Sequence, residues 1–396
     1  MGLSEKNFWL NRAKGEENYL KETFYHLHRN PELSKEEYKT QSFILKELER
    51  LGIEATPIAD TGVLGIVRGD KPGKTVALRA DMDALPVQEE TDLLYKSENP
   101  NVMHACGHDA HMTILLGAAK MLQSRKSELN GNVKLFFQPA EEKGGGALRM
   151  IGEDCLNNPK VDAVFFGHSS VDYPTGEIAV KSGSTSASGC VFSVVVSGKG
   201  THGALPHKGT DVILATCQAI IALQTISSRR TDPTDSVVLS IGAINAGTSS
   251  NVLPDKATFK GMIRTLSAET MVKAQADLKQ ILTGIAQAMG VRVDIEIKDD
   301  YDATINDEQM TSLVKLSAGK VLGEGKVKNL PSAYLTLEDF SYFCEKVPGC
   351  YFHLGTFNKE KGCINPLHSP KFMVDTDALI YGSAIYAQLA EDFLNN

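Results

Sequence analysis

Hydrophobic residues recur at helical spacing near the start of the chain. Leu20, Phe24 and Leu27 would share one face of a first helix, and Ile44 and Leu48 one face of a second. Short apolar runs, typical of buried strands, follow at residues 62–67, 75–78, 132–137 and 161–166, with helical patterns between them at residues 111–122 and 147–151. Strands that alternate with helices in this way predict an α/β domain with a largely parallel central sheet.

The pattern changes after Lys181. The segment SGSTSASG (residues 182–189) is small and polar, which favours a linker. Beyond it, we expect strands at residues 190–198, 236–244, 256–266 and 291–297, and helices at residues 211–225 and 267–289. Two strand–helix–strand units of this kind are typical of an α+β sandwich that carries its helices on one face of a sheet.

Helices and short strands return after residue 299. They are predicted at residues 307–322, 338–344, 350–354 and 375–393. The sequence therefore predicts one α/β domain, formed by residues 1–182 and 300–396, into which an α+β domain of residues 183–299 is inserted.

Composition narrows the class of protein. The 396 residues are 42% hydrophobic and 23% charged, which is ordinary for a globular protein, and the net charge of −8 argues against nucleic-acid binding. The uninterrupted apolar runs fall far short of the roughly 18 residues that span a membrane. The N-terminal segment lacks the apolar stretch of a signal peptide. We therefore expect a cytoplasmic protein that binds neither nucleic acid nor membranes.

Side chains that can bind a metal ion lie near the ends of several predicted strands. They are Asp81, Asp83, those of the segment MHACGHDAH (residues 103–111), Glu141, Glu142, His168 and His368. Ligands gather beyond the carboxyl ends of the strands in open α/β sheets, so we expect these groups to converge. A lone histidine or a pair of glutamates is more often an ordinary surface feature. Three histidines, a cysteine and an aspartate in one short segment have few purely structural explanations.

The types of side chain indicate the chemistry. Thiolate, imidazole and carboxylate are ligands for zinc, and imidazole with carboxylate also suits manganese, cobalt or nickel. The adjacent Glu141 and Glu142 permit a division of labour, in which one carboxylate binds metal and the other moves protons. This arrangement is typical of metal-assisted hydrolysis. The chain offers enough ligands for two metals that share a bridging side chain.

Six segments, taken in order, resemble the metallopeptidase family of aminoacylases and carboxypeptidases. They are ALRADMDALPVQE, MHACGHDAHMTILLGAA, LFFQPAEEKGGGA, GKGTHGALPH, SSNVLPDKATFKGMIRTL and LHSPKF. They are most similar to the amidohydrolase branch, which includes hippurate hydrolases and plant auxin–amino acid conjugate hydrolases. The resemblance implies a catalytic domain (residues 1–182 and 300–396) with a two-metal centre, and an inserted lid domain (residues 183–299) that forms a homodimer.

The resemblance also implies a set of metal ligands. By motif position they are Cys106, as the bridging ligand, with His108, Glu142, His168 and His368. Manganese or zinc is the expected pair of ions, and cobalt or nickel remain alternatives. His104 and His111 are expected to support the ligands without binding metal. The segment YLTLEDF (residues 334–340) departs from the glycine-containing sequence that usually precedes EDF in the family.

Further roles follow from the same resemblance. Glu141 matches the general base, and Asp83 matches the acid that orients a ligand by hydrogen bonding. His202 matches a lid histidine that polarises the scissile carbonyl. Asn251 and Arg264 match lid positions that bind the carboxylate of the substrate. Without the resemblance, a turn histidine and a surface ion pair would be the ordinary explanations for His202 and Arg264.

The implied activity is metal-dependent hydrolysis of the amide bond of an N-acyl amino acid. Glu141 would take a proton from the attacking water and return it to the departing amine. A dipeptidase or carboxypeptidase with the same centre is one alternative, so that the substrate is a small N-acyl amino acid or dipeptide. A catalytically silent metal-dependent binding protein is another, although the intact Glu141 argues against it.

Overall fold

The computed structural model describes residues 7–396, and the first six residues of the predicted catalytic domain lie outside the described residues. The described chain divides into two compact units. The first contains the described residues up to Gly183 together with Ile305–Ser332 and Asp339–Asn396, and the second contains Ser184–Thr304 and Ala333–Glu338. The predicted domains change at residues 182/183 and 299/300, whereas the second unit extends to Thr304 and includes the separate segment Ala333–Glu338.

The helices and strands follow in chain order. The helices are α1 (Phe8–Gly15), α2 (Glu17–Arg29), α3 (Tyr38–Arg50), α4 (His108–Gln123), α5 (Gly146–Gly152), α6 (Val212–Leu223), α7 (Ala268–Met289), α8 (Glu308–Leu322), α9 (Ser341–Lys346) and α10 (Asp377–Asn395). The strands are β1 (Glu54–Ile58), β2 (Gly62–Arg68), β3 (Lys71–Asp81), β4 (Asn130–Gln138), β5 (Ala163–Pro174), β6 (Ile178–Val180), β7 (Gly183–Ser184), β8 (Ser188–Ser197), β9 (Thr201–His202), β10 (Val237–Ala246), β11 (Val252–Leu253), β12 (Lys256–Thr265), β13 (Arg292–Asp299), β14 (Ile305–Asn306), β15 (Val327–Asn329) and β16 (Gly349–Phe357).

The first unit is built on a mixed sheet. In the described chain, its strands take the order β1-β2-β4-β3-β5-β16-β6-β15. The inner strands β4, β3, β5 and β16 are parallel to one another. The pairs β1–β2, β2–β4 and β16–β6 are antiparallel, and β15 is parallel to β6. Parallel strands need crossover connections and are covered on their faces. The helical face predicted for α2, with Leu20, Phe24 and Leu27, is buried in this core. The predicted α/β class with a largely parallel central sheet is confirmed.

The second unit is an antiparallel sheet in the order β10-β12-β8-β13. Alternate residues of β8 and β12, such as Phe192, Val194 and Phe259, are buried in a core shared with α6 and α7. Helix α7 begins after Ser267, whose hydroxyl accepts a hydrogen bond from the backbone N–H of Thr270 at 3.1 Å. The predicted α+β unit, with its long helix at residues 267–289, therefore forms as expected.

The segment SGSTSASG is not an exposed linker. Thr185, Ser186 and Ala187 are buried, and β8 already begins at Ser188. The backbone N–H of Thr185 donates to the carbonyl of Thr304 at 2.9 Å. Small polar side chains therefore serve close packing here, because hydrogen bonds satisfy their polar groups.

Helix α6 is unusually apolar. It continues into a π-helical turn, and the combined stretch Val212–Arg230 has the length and mean hydropathy (1.3) of a membrane-crossing helix. By length and composition alone, such a helix is not distinguished from one that packs in a protein core. Its inner residues, including Ala215, Ala219 and Leu223, pack in the core of the second unit, and 33% of the stretch is buried. Its outer residues, among them Ile213 and Ile221, form an exposed apolar surface.

Candidate metal centre

Three parallel strands and one helix deliver the candidate side chains. Asp81 ends β3, and Glu141 and Glu142 follow the end of β4. His108 is the first residue of α4, which begins three residues earlier than the predicted helix. His168 lies inside β5, which continues to Pro174, and not after its end as the sequence suggested. The strand continues because β16 pairs alongside it through this region.

The five predicted ligands fall into two groups. Cys106, His108 and His168 offer ligand atoms that lie within 4.8 Å of one another, and so do Cys106, Glu142 and His368. Cys106 Sγ lies 3.6 Å from His168 Nε2, and Glu142 Oε1 lies 3.4 Å from His368 Nε2. Cys106 belongs to both groups, as the predicted bridging ligand would.

Hydrogen bonds fix which nitrogen of each histidine is free. Nδ1 of His168 lies 2.8 Å from the carbonyl oxygen of Ser169, and Nδ1 of His108 lies 2.8 Å from that of Asp83. A carbonyl only accepts, so each Nδ1 carries a proton, and in the neutral ring Nε2 is the nitrogen that offers a lone pair. Orientation by such a partner is typical of metal-binding histidines.

His111 has both ring nitrogens engaged. Its Nδ1 lies 2.6 Å from Asp81 Oδ1, and its Nε2 accepts from the backbone N–H of Ser169 at 2.8 Å. Asp81 is also bound by the buried Arg79 at 3.0 Å, and Arg79 donates to Asp339 at 2.9 Å. This buried charged network supports the floor of the site. The sequence reasoning assigned no role to Arg79 or Asp339, because a buried ion pair between distant segments leaves no local pattern.

Asp83 holds both glutamates by their backbone. Its Oδ1 accepts from the N–H of Glu141 at 3.1 Å, and its Oδ2 accepts from the N–H of Glu142 at 3.0 Å. Ser34 donates to the same carboxylate at 2.6 Å. Burial alone would raise the pKa of Asp83, but hydrogen bonds from His108 and Ser34 bring it below its usual value. Asp83 therefore stays ionised and positions the predicted base and the predicted ligand together.

Glu37 is a site residue that the sequence reasoning missed. Its fully buried carboxylate accepts from the N–H of Ala140 at 2.8 Å and from the hydroxyl of Thr61 at 2.6 Å. Ala140 has a φ of 54°, in the left-handed region that is uncommon for a residue other than glycine. Glu37 directly precedes α3, so in the sequence it resembles an ordinary acidic residue at a helix start.

Buried carboxylates surround His108 and Cys106 and favour a positive charge between them. Although burial disfavours a charged imidazole, Asp81 and Asp83 raise the pKa of His108 to about 10. Burial, with the charges of Glu142 and Glu141, holds the pKa of the Cys106 thiol well above its usual range. The carboxylates that raise the pKa of His108, and that add to the effect of burial on Cys106, form a concentration of buried negative charge that a bound cation would relieve.

The donor set also fits a metal. His108 Nε2 and Glu142 Oε1 are buried and have no hydrogen-bond partner among the described residues. Burial holds the pKa of His168 well below its usual range, so its ring is neutral and able to bind metal. A thiolate, imidazoles and a carboxylate suit zinc, and the imidazole–carboxylate members suit manganese. The residues therefore fit two divalent ions.

His202 and Asn251 are neighbours in the second unit. His202 of β9 pairs with Val252 of β11, and the N–H of Gly203 donates to the carbonyl of Asn251 at 2.8 Å. His202 Nδ1 accepts from the backbone N–H of Ala204 at 3.1 Å. In the neutral ring the proton therefore lies on Nε2, and the exposed side chain can donate a hydrogen bond.

Arg264 lies far from these two residues within the same unit. It pairs with Gly189 near one end of β12, while Lys256 at the other end pairs with Ser197. The strand carries the chain about 26 Å between Lys256 and Arg264, at about 3.3 Å per residue. His202 and Asn251 lie beyond the Lys256 end. One small substrate cannot touch both Arg264 and Asn251 of a single second unit.

The chain is similar to proteins of known sequence and of known structure. Residues 77–392 match the sequence profile of peptidase family M20/M25/M40. Thermostable carboxypeptidase 2 of Saccharolobus solfataricus is 42% identical, over 97% of this chain and 98% of that protein. N-acetyl-L-cysteine deacetylase of Bacillus subtilis is 38% identical, over 94% of this chain and 87% of that protein. A crystal structure of a dinuclear metal-binding peptidase of the M20 family from Bacillus subtilis has a TM-score of 0.84 and 33% identity, and covers 96% of this chain and 99% of that one.

The chain belongs to peptidase family M20/M25/M40. The resemblance found in the sequence is confirmed, and so is the class of enzyme, a metal-dependent hydrolase of amide bonds. The ligand groups that share Cys106 agree with a centre for two divalent metal ions.

Proposed function

We propose that the chain hydrolyses the amide bond of N-acyl amino acids. The observation that carries the proposal is the placement of Glu141. Its carboxylate lies within 4.8 Å of ligand atoms of His108 and Glu142, and its backbone is fixed by Asp83 at 3.1 Å. A base held beside a metal-ligand cluster is the arrangement required for attack of water on an amide carbonyl.

The side chains divide the reaction between them. The two metals, when bound, supply Lewis acidity that activates water and the scissile carbonyl. Glu141 accepts a proton from the attacking water and delivers it to the departing amine nitrogen, so that acid and amine are released. Nε2–H of His202 donates to the carbonyl oxygen as negative charge develops there. Arg264, with Asn251, binds the carboxylate of the amino acid.

Arg264 is well suited to that carboxylate. Only 16% of its side chain is exposed, yet its one ion-pair contact in the described chain is the long 4.0 Å approach to Asp300 Oδ2. One guanidinium nitrogen also donates to the carbonyl of Ile263 at 3.3 Å. The planar fork thus keeps donors for a second carboxylate, and two parallel hydrogen bonds would hold it.

We further propose a homodimer in which one site draws on two chains. Arg264 is separated from His202 and Asn251 by the length of β12, so a small substrate needs the two sets from different copies. Each chain then supplies its own metal centre and Arg264, and receives His202 and Asn251 from its partner.

The exposed apolar surface of the second unit supports this assembly. Ile213, Leu214 and Ile221 project outward from α6, and Ile221 is 66% exposed. Strand β10 lies at the edge of its sheet, where unpaired backbone groups can join a second copy. We expect Ile221→Glu to produce monomers in sedimentation velocity. If the wild type is a monomer, or if the variant remains a dimer, the apolar face of α6 is not a dimer interface.

A carboxypeptidase or dipeptidase is the second candidate. It rests on Arg264, because a terminal carboxylate of a peptide would use the same contact. A panel of N-acetyl and N-benzoyl amino acids and dipeptides, assayed by amine release, separates the two. Higher kcat/KM on the N-acyl amino acids supports the first candidate, higher kcat/KM on dipeptides supports the second, and no release from either class supports a silent binding protein.

The identity of the metals is tested with the same preparation. We propose manganese or zinc, with cobalt or nickel as alternatives, because the donor set combines thiolate, imidazole and carboxylate. Elemental analysis of the purified protein should find two ions per chain. Reconstitution of the chelated protein with each metal then ranks them by recovered kcat/KM.

A further inference from the structure

We infer that Leu337 makes the enzyme select substrates whose amino-acid part has an apolar side chain. N-acyl derivatives of leucine, methionine or phenylalanine would be preferred over those of glycine or glutamate. The inference rests on the proposed function, because it concerns the amino acid whose carboxylate Arg264 binds. It arises from the position of Leu337 beside Arg264 and Gly189.

Gly189 brings Arg264 and Leu337 together. A Cβ on Gly189 would lie 2.4 Å from Arg264 Nη1 and 2.9 Å from Leu337 Cδ2, closer than any real contact. The guanidinium and the leucine methyl therefore share the space that a side chain would occupy. The apolar tip of Leu337 consequently lies directly beside the proposed carboxylate donor.

The segment that carries Leu337 is anchored within the second unit. The N–H of Ala187 donates to the carbonyl of Thr336 at 2.9 Å, and the N–H of Tyr334 donates to the carbonyl of Thr185 at 3.0 Å. Leu337 itself is half-buried. A side chain fixed at its backbone and only partly covered can form a wall for a ligand.

The chemistry of an amino acid explains why this position decides specificity. The Cα is bonded directly to the carboxylate carbon, so a carboxylate held by Arg264 places the substrate side chain close to the guanidinium. Leu337 Cδ2, which lies beside Arg264 at Gly189, is the apolar group that this substrate side chain would contact. An apolar side chain gains by covering it, whereas glycine leaves it exposed.

Asp300 adds a negative charge beside Arg264, which disfavours a second carboxylate on the substrate. Its Oδ2 lies 4.0 Å from Arg264 Nη2, beside the proposed carboxylate. One negative group near the fork is compatible with one bound carboxylate. A second carboxylate, as on N-acyl glutamate, would be repelled by Asp300.

The test compares kcat/KM for N-acetyl-leucine, N-acetyl-glycine and N-acetyl-glutamate. The wild type should favour leucine over glycine by roughly tenfold or more, the usual worth of a small apolar contact. Leu337→Ala should reduce that ratio by roughly tenfold. Leu337→Met, which keeps the apolar volume, should retain it. Asp300→Asn should raise the glutamate-to-leucine ratio.

Leu335→Ala is the matched control, since Leu335 belongs to the same segment but is absent from the contacts around Gly189. It should leave the leucine-to-glycine ratio unchanged. Turnover of N-acyl amino acids with no preference for leucine, or equal effects of Leu335→Ala and Leu337→Ala, would overturn the inference while leaving the proposed function intact. Absence of turnover of every N-acyl amino acid would overturn both.

Discussion

The carboxylate of Glu37 accepts a hydrogen bond from the backbone N–H of Ala140 at 2.8 Å. The next two N–H groups, those of Glu141 and Glu142, donate to Asp83 at 3.1 and 3.0 Å. Two buried carboxylates thus fix three successive peptide units at the end of β4. The direction of the proposed base and its neighbouring ligand is set by this pair.

Glu37→Ala should therefore lower kcat per bound metal by roughly tenfold or more, with KM near wild type. The reason is that the turn at Ala140 would relax, and misplacement of a catalytic group by about 1 Å costs up to about a hundredfold. Glu32→Ala is the control, because Glu32 makes similar hydrogen bonds to Thr40, without reaching the turn. Equal losses of kcat in the two variants would show that Glu37 only stabilises the fold and does not position Glu141.

The adjacent glutamates should respond differently to removal. Glu141→Ala should lower kcat by about 10²–10⁴-fold, the usual contribution of a general acid–base group, while metal content is kept. Glu142→Ala should lose metal, because its Oε1 faces His368 Nε2 at 3.4 Å. Elemental analysis beside steady-state kinetics checks both. Loss of metal from the first variant and not the second would mean that the two roles are exchanged.

Where the candidate side chains follow strand ends, the sequence indicates which of them come together. Asp81, Glu142 and the start of α4 meet because parallel strands bring their carboxyl ends to one edge. Cys106 and His108 flank Gly107, whose φ of 87° turns the chain into the helix. These positions can be predicted because they depend only on the local sequence pattern and on the parallel direction of the strands.

Other features depend on long-range packing and leave weaker traces. Glu37 binds Ala140 and Arg79 binds Asp339, and both partners are distant in the sequence, so no local pattern reveals these two contacts. The sequence does contain the separation of Arg264 from Asn251, since Asn251 precedes the predicted strand and Arg264 lies near its far end. Its consequence for a shared substrate becomes plain only when the register of β12 is known.

Cys106 should be protected from alkylation when metal is bound. A thiolate that bridges two ions has its lone pairs engaged, and chelation should release it. Burial raises the pKa of the free thiol, so both states are compared at alkaline pH by mass spectrometry after labelling. The partly exposed Cys344 of α9 is an internal control whose labelling should not depend on metal. Equal modification of Cys106 in both states would exclude it as a ligand.

His28 should make stability depend on alkaline pH. It is buried between Asp109 at 2.6 Å and Glu89 at 3.2 Å. Although burial opposes the charge, these carboxylates raise its pKa to about 9, above the value of about 6.5 expected in the unfolded chain. The charged ring therefore stabilises the fold fully below about pH 6.5, and this contribution is lost as the pH rises through about 9.

The contribution of His28 amounts to up to about 3 kcal/mol at low pH, since each pKa unit corresponds to about 1.4 kcal/mol. Urea unfolding of wild type and His28→Gln between pH 6 and 10, at fixed metal concentration, measures it. The difference in the free energy of unfolding should shrink as the pH rises. A difference that is constant with pH would show that the ring is not charged in the fold.

The shared active site is tested with pairs of inactive variants. Glu141→Ala lacks the base and His202→Ala lacks the donor to the carbonyl oxygen. In a mixed dimer, the His202→Ala chain keeps Glu141 and its own Arg264 and receives His202 from its partner. One complete site is restored, so subunit exchange should recover activity. If His202 acted within its own chain, each chain would stay defective.

The position of Arg264 sharpens this experiment. Asn251→Ala mixed with Glu141→Ala should recover activity, because Asn251 lies beside His202 and would cross with it. Arg264→Ala mixed with Glu141→Ala should not, because one chain then lacks its base and the other its own carboxylate donor. Arg264→Ala mixed with His202→Ala should recover activity, since the His202→Ala chain keeps Glu141 and Arg264 and receives His202 from its partner.

Native mass spectrometry confirms that mixed dimers form. Mixed dimers without recovery in any pair would rule out the shared site while leaving the metal chemistry untouched, and recovery in every pair would contradict the assignment of Arg264 to the chain that supplies the metals.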